Sequence, residues 1–161
     1  MTDPWRTVLG WDPGSAAGAV CVHLLDSSGC IQSTDSIRVS KSTDSDLVEF
    51  VREFAPDFAL LEKVHAMPSQ GVSSSFKFGA SFGLAQGILT ACAVPWALIT
   101  PQKWQRPFSV PPSKGAQRKR ELKAIAQRLF PAHRFTLEDA DSWIIAEYAR
   151  RVYLERVRWP A

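Results

Sequence analysis

Cysteine is scarce in this sequence, and what there is does not pair. Cys21, Cys30 and Cys92 are an odd number at spacings that suit neither a disulfide framework nor a thiolate metal site. They read as free thiols in a reducing compartment. No long apolar run is available to cross a membrane. The stretch 79–99 carries no charge, but Ser81, Gln86 and Thr90 interrupt it and Pro95 lies near its end. A buried helix followed by a strand fits that pattern better than a membrane span. The opening MTDPWRTVLG holds an acid and a proline and has no apolar core of the signal-peptide kind, so the expectation is a cytoplasmic protein. Internal repeats and low-complexity tracts are lacking too. At 161 residues the chain suits one domain with a good core and is too short for two large ones, and residues 1–161 are expected to form a single domain.

Acid is nearly absent from one segment. Between Pro101 and Phe130 the only carboxylate is Glu121, against Lys103, Arg106, Lys114, Arg118, Lys119, Arg120, Lys123 and Arg128. The segment carries +7 of a net charge of only +3, which leaves the rest of the chain mildly acidic. Such segregation suits either a polyanionic partner or a solvated helix face.

The pattern of apolar residues supplies an architecture. TVLGW, GAVCVHLLD and CIQSTDSIRV read as three strands joined by short turns, hence an antiparallel meander. SDLVEFVREFA has helical spacing, with Ser42 or Ser45 as a cap, and ends at Pro56. DFALLEKV is a strand on the far side of that helix and is expected to run parallel to the first. A loop HAMPSQGVSSS, a helix over 76–93, a short strand PWALIT, a loop FSVPPSKGA, a helix over 117–130 and a last helix over 137–157 complete the chain. The result is a mixed five-stranded α/β sheet.

Three places hold carboxylates awkwardly. Asp12 ends the first strand and opens Asp-Pro-Gly, an ordinary turn sequence that explains it without any chemistry. In DFALLEKV, alternation puts Phe58, Leu60 and Glu62 on one face, so Glu62 ends an apolar face, where an unpaired charge is costly. In FTLEDADSWIIAEYARR, Thr136 and Asp139 have capping-box spacing. Glu138 and Asp141 share a helix face at i and i+3, and Asp141 lies in line with the apolar Ile144, Ile145 and Tyr148. Acids at a helix start also satisfy the dipole, which is a sufficient reason for Glu138 alone. If the first and fourth strands are neighbours, Asp12 and Glu62 share one sheet edge, and the last helix can add Glu138 and Asp141. Four hard oxygen ligands without histidine or thiolate suit Mg²⁺ or Mn²⁺, and paired divalent ions serve phosphodiester hydrolysis.

GWDPGSAAGAV, LLEKV, FGLAQGIL, RKRELKAIAQRLF and DADSWIIAEYARR stand in the order seen in RuvC-like Holliday junction resolvases. QGVSSSFKFGASFGLAQGIL is most similar to the phage-type and chloroplast-type members. The resemblance spans nearly the whole chain; no single motif is specific, but the ordered set is. It implies the ribonuclease H-like fold, a homodimer that cuts four-way DNA junctions, and two divalent ions held by acidic ligands, in the cytoplasm of a bacterium or phage-infected host. It implies no small-molecule cofactor. By match, the ligands fall on Asp12, Glu62, Glu138 and Asp141. Glu138 departs from the D-x-x-D of bacterial members, with Asp139 as its alternative, and an active-site basic residue falls on Lys119.

On this reading Lys114, Arg118, Lys119, Arg120 and Lys123 face phosphates. Met67, with His65, is expected to wedge against unstacked bases at a junction centre. Phe76 either joins it or is core. Gly79, Gly83 and Gly87 recur every fourth residue and form a small-residue stripe, for packing on the protein's own sheet or on a second subunit. Two other readings compete. An actin-like ATPase also begins with a strand-end Asp and Gly but needs two large domains; a non-catalytic branched-DNA-binding protein would use the acids as caps and ion pairs.

Overall fold

The computed structural model describes residues 5–64 and 71–157. Strands β1 (Arg6–Asp12), β2 (Ala19–Leu25) and β3 (Ile31–Arg38) form the expected meander. β4 (Phe58–Glu62) pairs parallel with β1, and β5 (Trp96–Ile99) parallel with β4, in the order β3-β2-β1-β4-β5. Helix α1 (Asp44–Phe54) makes the crossover between β3 and β4. Its cap is Thr43, whose hydroxyl accepts from the Asp46 amide while Asp46 accepts from the Thr43 amide. The acid three residues on selects Thr43 over Ser42 or Ser45.

Period-two alternation sends successive strand residues to opposite faces. Val8, Cys21, Phe58 and Leu60 pack beneath α5 (Ala140–Val157) together with Trp104, Leu122, Ile125, Ile144 and Ile145. Leu9, Trp11, Val20, Ala59 and Leu61 pack with Leu47 and Val51 of α1 and with Ile88 and Leu89 of α2 (Val72–Ala91). α5 lies directly on β1: a Cβ at Gly10 would stand 2.2 Å from the Ala146 nitrogen. That approach draws the N-terminal end of α5 to the C-terminal end of the sheet.

Several boundaries differ from the sequence reading. α2 already starts at Val72, because the serine-rich stretch there continues the helix. The segment after β5 folds into a short helix, α3 (Pro101–Gln105), which Pro101 opens at its first position. α4 spans Gly115–Leu129. α5 begins at Ala140, and residues 137–139 form a turn ahead of it. The cysteines are free. Among the described residues no helix is long and apolar enough to cross a membrane.

Candidate active site at the sheet edge

β1 and β4 are in register through Trp11 and Leu61, so Asp12 and Glu62 come next on adjacent parallel strands. Asp12 serves the turn and also faces a cation. Its Oδ1 accepts from the Gly14 amide at 3.1 Å, the expected turn bond. Its Oδ2 faces the Lys119 ammonium of α4 at 3.9 Å. Asp141, in the first turn of α5, accepts from the same Nζ at 2.6 Å. Glu62 Oε1 accepts from the indole Nε1 of Trp104 at 2.9 Å. Strand ends, a core-packed helix and a basic helix thus bring Asp12, Glu62, Asp141 and Lys119 together.

These carboxylates are held where their charges are costly. Burial, then the Asp141 charge, pushes Asp12 up to about 7, with Lys119 and the Gly14 amide pulling the other way. Burial and then Asp12 push Glu62 up to about 8, against the Trp104 hydrogen bond. Asp141 is raised by burial and eased by Lys119. For Lys119, burial works against the ammonium, but Asp141 and Asp12 outweigh it and hold its pKa above the usual lysine range. Three acids share one internal cation, and their mutual repulsion is not fully offset.

Glu138 and Asp139 stand apart from this cluster. Glu138 lies in the turn before α5, and its Oε2 is 3.5 Å from Arg38 Nη1 at the end of β3. Asp139 Oδ1 accepts from the Thr136 amide at 2.8 Å and the Thr136 hydroxyl at 2.9 Å, the carboxylate half of the expected capping box, while the Thr136 hydroxyl accepts from the Glu138 amide in the turn ahead of α5. Its Oδ2 lies 3.2 Å from His133 Nε2. Of the basic residues, Arg118 donates to Gln105 Oε1 at 3.0 Å and so straps α4 to α3. Among the described residues Lys114, Arg120 and Lys123 make no ion pair. Lys114 and Arg120 are exposed and Lys123 is half-buried. Glu121, the lone acid of the segment, accepts from Ser113 and Gln117, which fixes the proline loop to α4. Phe76 is 78% exposed, so it is not core. Met67 and His65 lie outside the described residues.

Sequence reasoning missed Trp104 and Arg38. No local pattern marks Trp104 as a partner of Glu62, since they lie 42 residues apart and meet only when α3 folds under β4. Arg38 had a signal, because it closes a strand of the same meander as Asp12.

The donor set fits a hard divalent cation. In the cluster Asp141 Oδ1 is buried with no hydrogen-bond partner, as is Glu138 Oε2 apart from it, which faces Arg38, and the clustered acids are all oxygen donors. As they stand, no three His, Cys, Asp or Glu side chains among the described residues are gathered closely enough to hold one ion; the Lys119 ammonium is the cation among them.

The mixed five-stranded sheet with its flanking helices is the ribonuclease H-like fold seen in RuvC. Thermus thermophilus RuvC superposes with a TM-score of 0.63 at 14% identity, over 96% of this chain and 98% of that one. The same protein in complex with Holliday junction substrate gives 0.62 at 14% identity, over 94% and 96%. The fowlpox virus resolvase with its substrate Holliday junction DNA gives 0.58 at 14% identity, over 94% and 99%. No protein-family model and no curated protein sequence matches the chain.

Proposed function

We propose that the protein is a structure-specific endonuclease that resolves four-way and branched DNA junctions by divalent-metal-dependent phosphodiester hydrolysis. The observation that carries this reading is the set of carboxylates from β1, β4 and α5, the buried Asp12 and Asp141 and the half-buried Glu62, gathered with Lys119 at one sheet edge at an electrostatic cost. A purely structural role leaves that cost without a return. Solved proteins of the same fold, RuvC and the fowlpox virus resolvase, are seen with Holliday junction DNA, which supports the substrate.

Asp12, Glu62 and Asp141 would hold the ions, with Glu138 as a fourth ligand, and Mg²⁺ is the expected metal with Mn²⁺ as a substitute. When bound, two such ions supply an activated water and a counter-charge for the leaving oxygen. In the cleavage a water oxygen bonds to phosphorus and one bridging P–O bond breaks, leaving a phosphate on one end and a hydroxyl on the other. Lys119 offsets negative charge that develops on the phosphate. Lys114, Arg120 and Lys123 would track the backbone beyond it.

A homodimer completes the reading, since symmetric cutting of a two-fold junction needs two sites. Among the described residues a Cβ at Gly79, Gly83 or Gly87 meets nothing within 4 Å, so the stripe faces away from the protein's own sheet, beside the exposed Phe76 and Val72. That favours use of the stripe between subunits. The deciding experiment is incubation of the purified protein with a synthetic mobile four-way junction, with and without Mg²⁺. Paired nicks that need the metal are expected; binding without cutting at any divalent concentration would leave a branched-DNA-binding protein.

A further inference from the structure

The sheet register carries a third residue to the site's edge. Asp12 pairs with Ala19 and Ala19 with Arg38, so Arg38 ends β3 in the same row as Asp12. Its main chain is fixed there: the Ser42 hydroxyl donates to the Arg38 carbonyl at 2.7 Å, and the next amide, Val39, donates to Gly18 O at 2.9 Å. From that anchor the guanidinium reaches the turn before α5, where Nη2 donates to Thr136 Oγ1 at 3.3 Å and Nη1 stands 3.5 Å from Glu138.

The two acids of that turn are not equivalent. Asp139 has both oxygens committed to the cap and to His133, and releasing it would undo the start of α5. Glu138 Oε2, the oxygen that faces Arg38 at 3.5 Å, is buried and accepts no hydrogen bond, and Arg38 is its only ion-pair partner among the described residues. The pair is about a third exposed on each side, and such pairs are weak, about 0.2–1 kcal/mol. A divalent cation held at Asp141 would compete with Arg38 for that carboxylate.

We propose that Arg38 is a positioning residue that reserves Glu138: the site presents three carboxylates until a divalent cation draws Glu138 off Arg38 to become the fourth ligand. This rests on the metal-dependent reading above. Arg38 then acts as an internal competitor for the metal's last ligand, as Lys119 does for Asp141. Once released, the guanidinium is left at the edge of the site with its charge free for a phosphate.

Mn²⁺ binding to the whole protein without DNA, followed by the electron paramagnetic resonance signal of free Mn²⁺, tests this apart from activity. Removing a weak competitor of this size tightens binding by about 1.4- to fivefold. R38Q is expected to bind Mn²⁺ tighter by that factor, and R38K to bind as wild type does. In an E138Q background the further change R38Q should have no effect, because the carboxylate it competes for is gone. The inference is overturned if R38Q leaves Mn²⁺ affinity unchanged or weakens it, or if it tightens binding equally with and without Glu138. R38M, which keeps the aliphatic stem, repeats the measurement should R38Q melt early. Failure of the underlying reading looks different: wild type itself would take up no Mn²⁺, or would bind it regardless of D12N.

Discussion

Asp12 closes a turn and carries a buried carboxylate beside other acids, and holding that charge there costs the fold. Below pH 4 its carboxyl is protonated in both folded and unfolded chains, and burial costs little. As pH rises from the usual 3.8 towards about 7, the unfolded chain ionises first and folding stability is lost; Glu62 extends the same loss from 4.5 towards about 8. Stability of the metal-free protein should therefore fall between pH 4 and 8 through these two groups. Asp12→Asn removes the charge at nearly constant volume. At pH 8 without divalent ions it should be more stable than wild type by on the order of 2 kcal/mol in urea melts, with the difference vanishing near pH 4. The same variant should bind a four-way junction and cut it at least about a hundredfold more slowly. A D12N protein that is less stable at pH 8, or that cuts at the wild-type rate, removes Asp12 from the site.

At the scale of elements, α3 matters beyond its length. It seats Trp104, fully buried, against Glu62, and the indole N–H is one of the few influences that favour the ionised carboxylate. Trp104→Phe keeps most of the ring and loses the donor. Glu62 should then rise further, so the acidic limb of the pH–rate profile for junction cleavage should move to higher pH, while junction binding at pH 9 is retained. An unmoved limb in a folded variant would mean that the hydrogen bond does not set Glu62. Helix α4 divides its charges by direction. Lys119 points into the acids and Arg118 is spent on Gln105, which leaves Lys114, Arg120 and Lys123 for a polyanion. Replacing those three by alanine should reduce the slope of log affinity against log salt by roughly 0.9 for each phosphate no longer neutralised. A full wild-type slope would identify them as an ordinary solvated face.

For the whole molecule the open face of α2 is the decisive surface. Because a Cβ at Gly83 meets nothing within 4 Å among the described residues, Gly83→Leu should leave the fold intact, and the reduced backbone freedom of the unfolded chain should even favour the helix by roughly 0.5–1 kcal/mol. If two copies pack through this stripe, the added leucine holds them apart. Light scattering should show a wild-type dimer and a Gly83→Leu monomer with an unchanged far-ultraviolet spectrum. A wild-type monomer, both free and on junction DNA, rules the dimer out.

Much of this protein is legible in one dimension because its signals are local. Alternating Val8, Leu9, Gly10 and Trp11, the helical spacing of Leu47, Val48 and Val51, and short turns between the first three strands are enough for a meander, a crossover and a parallel return. Asp12 and Glu62 follow from strand ends, and Asp141 from its place in an apolar stripe. What needed the folded chain were the relations between distant residues. Glu138 faces Arg38, at the far end of the meander, rather than the clustered acids; Glu62 is oriented by a tryptophan on a five-residue helix; and the glycine stripe, which packing on the protein's own sheet would have suited, faces outward because Ala85, Ile88 and Leu89 occupy the sheet side of α2. Periodicity records which face of an element is apolar. It does not record which elements meet across the sheet, and hydrogen bonds and ion pairs are short-ranged enough that only that meeting decides them.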